Sequence, residues 1–296
     1  SLNKKNKNIW LDIKTLNLVK KYLQKKEQVL FFVNRRGYAP FMICKNCGNK
    51  LSCPNCSIFL TFHKHLNKAM CHHCGYKTNT KQTCKKTNLN CEFQMYGPGV
   101  EKIFSELKQI FPDKIIKILS SDFLNKKKET LNLLNDIERN KINILVGTQL
   151  ISKGFNFPNL NCIVVVDADF SGMGFDLRSN EKNIQLYNQL SGRAGRFSKD
   201  SLIIYQTFDP SDKTLNSIIE NKQEKFFEEE IYLREQKNLP PFSRLIAFII
   251  SSKNERESYL EAQKIKRSLS LLKDADILGP VSSPIFKIKN KYRTRL

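Results

Sequence analysis

The chain has no apolar run long enough to cross a bilayer. Its longest, such as IVVV at 163–166 and LIAFII at 245–250, fall far short of the about 20 residues a spanning helix needs. The opening stretch SLNKKNKNIW lacks the apolar centre of a secretory signal, so a soluble, cytoplasmic protein is expected. None of the 12 glycines is followed by lysine, and no aspartate is followed by glutamate. The chain therefore lacks the Gly-Lys-Ser/Thr loop that cradles nucleotide phosphates and the acidic pair that holds magnesium. By itself it is expected to be inactive as an ATPase. It opens on Ser1 rather than Met and closes in KYRTRL, which reads as a strand cut short. A piece of a longer protein is expected.

What is abundant is positive charge: 296 residues carry a formal net charge of +22. A polyanion such as nucleic acid is the natural partner for such a surface. Lys, Asn and Ile are all heavily used and Arg is not, so a compositional bias of the gene would produce the same excess. A length of 296 residues suggests about two domains, and 40% apolar residues suffice for cores.

Eight of the nine cysteines lie in one block: Cys44, Cys47, Cys53, Cys56, Cys71, Cys74, Cys84 and Cys91. Three C-x-x-C pairs each supply two thiolates at the separation a tetrahedral zinc site requires, and the block holds ligands for two such sites. Gly48 and Gly75 follow the second cysteine of their pairs, where the chain must fold back on the sulfurs. Two occupied four-cysteine sites, each formally about −2, would bring the net charge to about +18. A disulfide framework is the alternative, disfavoured in a chain that nothing marks as secreted. His72 and His73 lie between ligand cysteines and read as surface histidines. Cys91 follows Cys84 at a looser spacing and is the least securely indicated ligand, while Cys162, in the apolar run NCIVVV, reads as an inert buried residue.

Around this block, short apolar runs alternate with helical periods. Strands are expected at 28–34, 114–119, 141–147, 161–169 and 201–208, and helices at 100–111, 126–140 and 181–195. Continuous apolar strands separated by helices predict a parallel sheet covered on both faces, interrupted by the cysteine block after its first strand. One long helix is expected over 211–237, carrying Leu215, Ile218, Ile219, Phe226 and Ile231 and stopped by Pro240 and Pro241. A small unit follows: a strand at 244–251, the helix ERESYLEAQKIKRSLSLL and the extended segment ILGPVSSPIFKIK.

Ligands of open α/β sheets sit at the carboxyl ends of strands. There the third expected strand runs into GTQLISKGFNFP, in which Thr148 offers a hydroxyl and Gly147 and Gly154 let backbone approach a phosphate, so the loop suits a phosphodiester track. Further on, QLSGRAGR places Gln189, Arg193 and Arg196 at i, i+4 and i+7 of one helix face, with Gly192 and Gly195 clearing the approach. Two guanidinium groups converging on a phosphate stabilise a transferring phosphoryl group.

These two stretches resemble motifs five and six of superfamily 2 helicases. The cysteine insertion after QVLFFVNRRGYAP, together with YGPGVEKI, VVVDADF, FDLRSNEK and NLPPFSR, resembles the PriA family of bacterial replication-restart helicases (primosomal protein N'), and the likeness covers nearly the whole chain. It implies an α/β fold: a RecA-like second helicase lobe at 1–41 and 97–207, a two-zinc insertion at 42–96, a linker helix at 208–240, and a truncated α+β DNA-binding domain at 241–296. It implies nested zinc sites, Cys44 and Cys47 with Cys84 and Cys91, and Cys53 and Cys56 with Cys71 and Cys74. The chain departs from the family where Thr87 stands in place of a cysteine, which bears on Cys91.

The resemblance also implies roles. Gly192, Arg193 and Arg196 would meet ATP held with Mg2+ mainly by a first lobe, with Gln189 orienting the arginines. Thr148 and Lys153, and Arg35 and Arg36 of NRRG, would grip the strand tracked by a 3'-5' DNA helicase. Implied partners are DNA forks, single-stranded DNA, PriB, DnaT, the replicative helicase and its loader, and single-stranded DNA-binding protein. A non-enzymatic zinc-stabilised module that binds forks or partner proteins is the alternative.

Overall fold

The protein is described by a computed structural model that covers residues 10–33, 41–63, 66–96, 99–119, 127–148, 157–169, 177–194 and 201–296. In chain order, α1 (Ile13–Gln24) leads into β1 (Gln28–Phe32). The cysteine-rich stretch contributes β2 (Phe41–Cys44), β3 (Thr61–His63), β4 (Lys68–Met70), β5 (Lys77–Thr78) and β6 (Phe93–Tyr96). Next come α2 (Val100–Ile110), β7 (Ile116–Leu119), α3 (Lys127–Glu138), β8 (Ile144–Gly147), β9 (Leu160–Val165), α4 (Ser179–Ser191) and β10 (Leu202–Tyr205). The remainder is α5 (Lys213–Ile219), α6 (Gln223–Gln236), β11 (Ile249–Ser252), α7 (Glu255–Leu269), β12 (Val281–Ile288) and β13 (Lys291–Arg295).

Two compact units result, Ser1–Ala39 with Gly97–Glu228, and Pro40–Tyr96 with Glu229–Leu296. The first is built on a five-stranded sheet in the order β10-β9-β1-β8-β7, parallel throughout. The three inner strands, β9, β1 and β8, are buried at every residue, whereas the edge strands β10 and β7 are not. This is why the inner strands are mostly apolar, with only Gln28 and Asn161 polar. Alternation assigns the faces: Val29, Phe31, Ile144, Val146, Cys162 and Val164 pack with α1 and α2. Leu30, Phe32, Leu145, Ile163 and Val165 pack with Ile137 of α3 and Tyr187 and Leu190 of α4.

Helix α1 is missing from the sequence reading. It buries Thr15, Val19 and Leu23, one per turn, and the Asp12 side chain caps it by accepting the Lys14 N–H at 3.0 Å. The helix expected over 211–237 is a correction: it is two helices, broken where Asn221 adopts φ 55 and the Lys222 N–H reaches back to the Ser217 carbonyl at 2.8 Å, a left-handed helix stop. Ile219 and Ile231, read as part of one apolar face, are 59% and 45% exposed. Helix α4 likewise ends at Ser191 rather than at 195.

In the second unit, β2 and β6 pair antiparallel from Phe41↔Tyr96 to Cys44↔Phe93 and close the base of the insertion. Strands β3, β4 and β5 form a small antiparallel sheet inside it. The carboxyl-terminal sheet has the order β11-β13-β12, with α7 joined to it by a buried hydroxyl pair, Ser258 Oγ and Thr294 Oγ1, 2.9 Å apart. The strand expected at 244–251 begins only at Ile249.

Candidate metal centres and strand-end site

All nine cysteines are unbridged, so the disulfide alternative is not realised. Eight gather into two groups, Cys44, Cys47, Cys84 and Cys91, and Cys53, Cys56, Cys71 and Cys74, with the sulfurs of each group within 4.8 Å of one another. Four turns repeat one frame, in which the N–H of a leading cysteine meets a carbonyl five residues on: Cys44 to Asn49, Cys53 to Ile58, Cys71 to Tyr76 and Cys84 to Leu89, at 2.6–2.9 Å. Three of them also fold back through a left-handed residue, Gly48 (φ 68), Gly75 (φ 76) or Asn88 (φ 55), whose N–H bonds the leading cysteine's carbonyl at 2.9 Å. Glycine adopts this conformation freely and asparagine tolerates it.

The fourth turn is therefore intact although Thr87 replaces its second cysteine. The fourth sulfur of the first group comes instead from Cys91, whose N–H bonds the Gln82 carbonyl at 2.6 Å. Thr87 keeps a use: its hydroxyl, followed by the Lys86 N–H, holds the Cys84 thiol down to about 6. Cys44 is lowered by the backbone N–H groups of Cys47 and Asn46. Burial, then neighbouring Cys44, pushes Cys91 up to about 12. Burial does the same to Cys53, also to about 12.

Four thiols this close cannot all ionise unaided, because each thiolate raises the next. A divalent cation bound by sulfur removes that repulsion, and buried four-cysteine groups with N–H donors aimed at sulfur fit a tetrahedral zinc ion. His72 and His73 are exposed; the Nε2 atoms of His63 and His72 lie 3.2 Å apart, outside both groups. Cys162 is fully buried and burial pushes its thiol up to about 12, as expected of an inert core residue.

At the carboxyl edge of the parallel sheet, Gly147 ends β8 and its carbonyl accepts the Val33 N–H at 2.8 Å. Thr148 follows, 6% exposed. Gln189 is exposed on the last turn of α4, Gly192 caps that helix, and Arg193 sits half-buried in the turn beyond, its N–H on the Leu190 carbonyl at 3.0 Å. Arg193 thus leaves the helix through a tighter turn instead of continuing the face that Gln189 occupies. Arg35, Arg36, Lys153, Gly154, Gly195 and Arg196 lie outside the described residues.

Sequence reasoning missed a tie at this edge. Asp169 accepts from the Thr207 hydroxyl, from the Phe208 N–H at 2.7 Å and from the Asp209 N–H at 3.4 Å, fastening the end of β9 to that of β10. The polar pair in VVVDAD after an apolar strand was its signal. Also unforeseen is a cavity of about 560 Å³ between α4, β10 and the α5–α6 break, lined by Asn188, Tyr205, Ile218 and Gln223 among others.

Comparison with known proteins matches the same regions. Residues 78–198 match the helicase conserved C-terminal domain, residues 53–78 the PriA DNA helicase Cys-rich region domain, and residues 235–296 the primosomal protein N C-terminal domain. The replication restart protein PriA of Rickettsia felis is 36% identical over 293 residues, 99% of this chain and 45% of that protein. PriA of Borreliella burgdorferi is 36% identical over 99% of this chain and 44% of its own length. PriA of Bacillus subtilis is 33% identical over 95% of this chain and 35% of its own length. The chain thus spans less than half the length of these relatives while aligning over nearly all of its own, and with the Cys-rich region and the carboxyl-terminal domain both matched, it is similar to the PriA family along almost its whole length.

Proposed function

We propose that this chain supplies the second motor lobe, the zinc module and DNA-binding surface of an ATP-dependent 3'-5' DNA helicase that recognises stalled or recombinational replication forks and initiates primosome assembly. The observation that carries the reading is the pair of nested four-cysteine groups, inserted between β1 and α2 of a parallel sheet of the helicase C-terminal type. Each group holds one zinc ion, with Cys91 a full ligand of the first. The division is a lobe at 1–41 and 97–207, a zinc module at 42–96, a linker at 208–240 and a DNA-binding domain from 241.

Arg193 and Arg196 meet the γ-phosphate of ATP bound with Mg2+ on a first lobe, Gln189 orients them, and Gly192 lets the nucleotide approach. Gly147, Thr148, Lys153, Arg35 and Arg36 hold the backbone of the tracked strand, consistent with a chain of net charge +22. The setting is the bacterial cytoplasm at the nucleoid, and the zinc module and carboxyl-terminal sheet are the surfaces for fork DNA, PriB, DnaT, single-stranded DNA-binding protein and the replicative helicase with its loader.

The test joins the chain to a family nucleotide-binding lobe. DNA-stimulated ATP hydrolysis is expected, falling by at least about a thousandfold in Arg193→Ala or Arg196→Ala with fork binding unchanged. Hydrolysis that survives Arg196→Ala refutes the sensor role. Fork binding without any hydrolysis would instead identify a non-enzymatic binding module.

A further inference from the structure

The second metal site is not closed by its own module. In the first group the N–H donors to sulfur come from adjacent turns: Asn46 and Cys47 for Cys44, Lys86 and Thr87 for Cys84. In the second, Asn55 serves Cys53 and Tyr76 serves Cys74. Cys56 instead accepts its N–H from Lys289, 233 positions away in sequence, at 3.4 Å.

Lys289 and Asn290 form the two-residue turn between β12 and β13, since Ile288 pairs with Lys291. Both have positive φ, 49 and 63, the conformation of a type I' hairpin turn. Asparagine tolerates that region; lysine gains nothing from it, and a strained residue persists where its surroundings hold it. Here the surroundings are the Cys53–Cys56 turn. The Ser57 N–H donates to the Lys287 carbonyl at 2.9 Å and the Asn290 N–H to the Asn55 carbonyl at 2.9 Å. The Asn290 amide reaches the Asn55 side-chain oxygen at 3.2 Å, and Lys287 Nζ the Pro54 carbonyl at 3.2 Å. The tip therefore grips the ligand turn by backbone and side chain. Its three lysines, Lys287, Lys289 and Lys291, complement the formal charge of about −2 of an occupied four-cysteine site.

We propose that the β12–β13 tip is an outer clamp on the Cys53, Cys56, Cys71 and Cys74 site, so that metal retention there and docking of the carboxyl-terminal sheet on the zinc module are coupled. Lys287, Lys289 and Asn290 act as positioning residues for that site and have no such part at the first. The proposal rests on the metal reading above, and the two are separable by experiment.

Elemental analysis of the full chain comes first: about two zinc ions support the metal reading, while none overturns both. Zinc transfer to excess chromogenic chelator is then timed for the native chain and for Lys287→Ala combined with Asn290→Gly, which removes both side-chain bonds but suits a positive φ. One of the two ions should leave about tenfold faster, the other at an unchanged rate. Lys266→Ala, which loses only the bond from Lys266 Nζ to the Gly279 carbonyl, should leave both rates unchanged. In Cys56→Ser, amide exchange at Lys289 and Asn290 should quicken at least about tenfold while the β11–β13 ladder stays protected. Equal release from native and double variant, equal acceleration of both ions, or unaltered protection at the tip in Cys56→Ser would each overturn the clamp.

Discussion

At the residue scale, the zinc module shows how a substitution is absorbed when the backbone frame survives. The turn at Cys84 keeps its hydrogen bonds with Thr87 in place of a second cysteine, and Cys91, seven positions after Cys84, brings the fourth sulfur to the group. Cys91→Ser should lower the zinc content by one ion at most, as read by elemental analysis, and leave the second group loaded. Thr87→Val removes the hydroxyl that lowers Cys84; competition with a chelator should show one site weakened about tenfold. A buried carboxylate in the first unit makes a pH prediction. Glu106 accepts the Trp10 and Leu11 N–H groups at 2.9 and 3.1 Å, but burial pushes its carboxyl above the ordinary range, against those bonds and Lys102. The folded state then keeps a proton that the unfolded chain loses, so this group's contribution to stability falls as pH rises from the ordinary glutamate value through the raised one. Urea midpoints followed by the fluorescence of Trp10 from about pH 5 to about pH 8 should show that fall, and Glu106→Gln should flatten it.

At the scale of elements, what could be read from the chain depended on where its burial came from. Strands β1, β8 and β9 are covered on both faces, so their composition alone announced them. Helix α1 buries only one residue per turn, Thr15, Val19 and Leu23, among three lysines and an asparagine, too faint a stripe for the pattern that reveals α2. The break between α5 and α6 escaped notice because asparagine takes the place glycine would mark. Replacing Asn221 (φ 55) by Ala should cost about 1 kcal/mol of stability, and Asn221→Gly should cost little; thermal unfolding of the two variants checks it. Neither should fuse the helices, because Gln223 remains tied to Asn188 at 2.9 and 3.1 Å. The pairing of cysteines was not legible from spacing, which leaves several tetrads open. It was legible through family likeness, and the sulfur positions fall into the same two groups. The grip of the β12–β13 tip on Asn55 and Cys56 had no local signal at all, since its partners lie 233 to 235 positions apart.

At the scale of the molecule, the two units owe their order to different sources. The sheet unit has two apolar layers, one on each face of the sheet, enough to persist without metal. Among the described residues of the insertion, the buried side chains besides the cysteines are few: Met42, Leu51, Leu60, Phe62 and Ala69 with His63. A module of that size is marginal without a staple, and a structural zinc site supplies about 10–16 kcal/mol of apparent binding energy that is also folding energy. Stripping the metal with a strong chelator should therefore act unevenly. Amide protection should vanish in β2 to β6 and fall at the β12–β13 tip, while β1, β8 and β9 keep theirs. Mass-resolved hydrogen exchange with and without chelator measures this directly. Uniform loss across both units would mean that the sheet cannot stand without the zinc module; no loss in β2 to β6 would mean that the thiols, not the metal, hold the module together. The uneven outcome would separate a sheet whose two apolar layers stand by themselves from an insertion whose order depends on its metal.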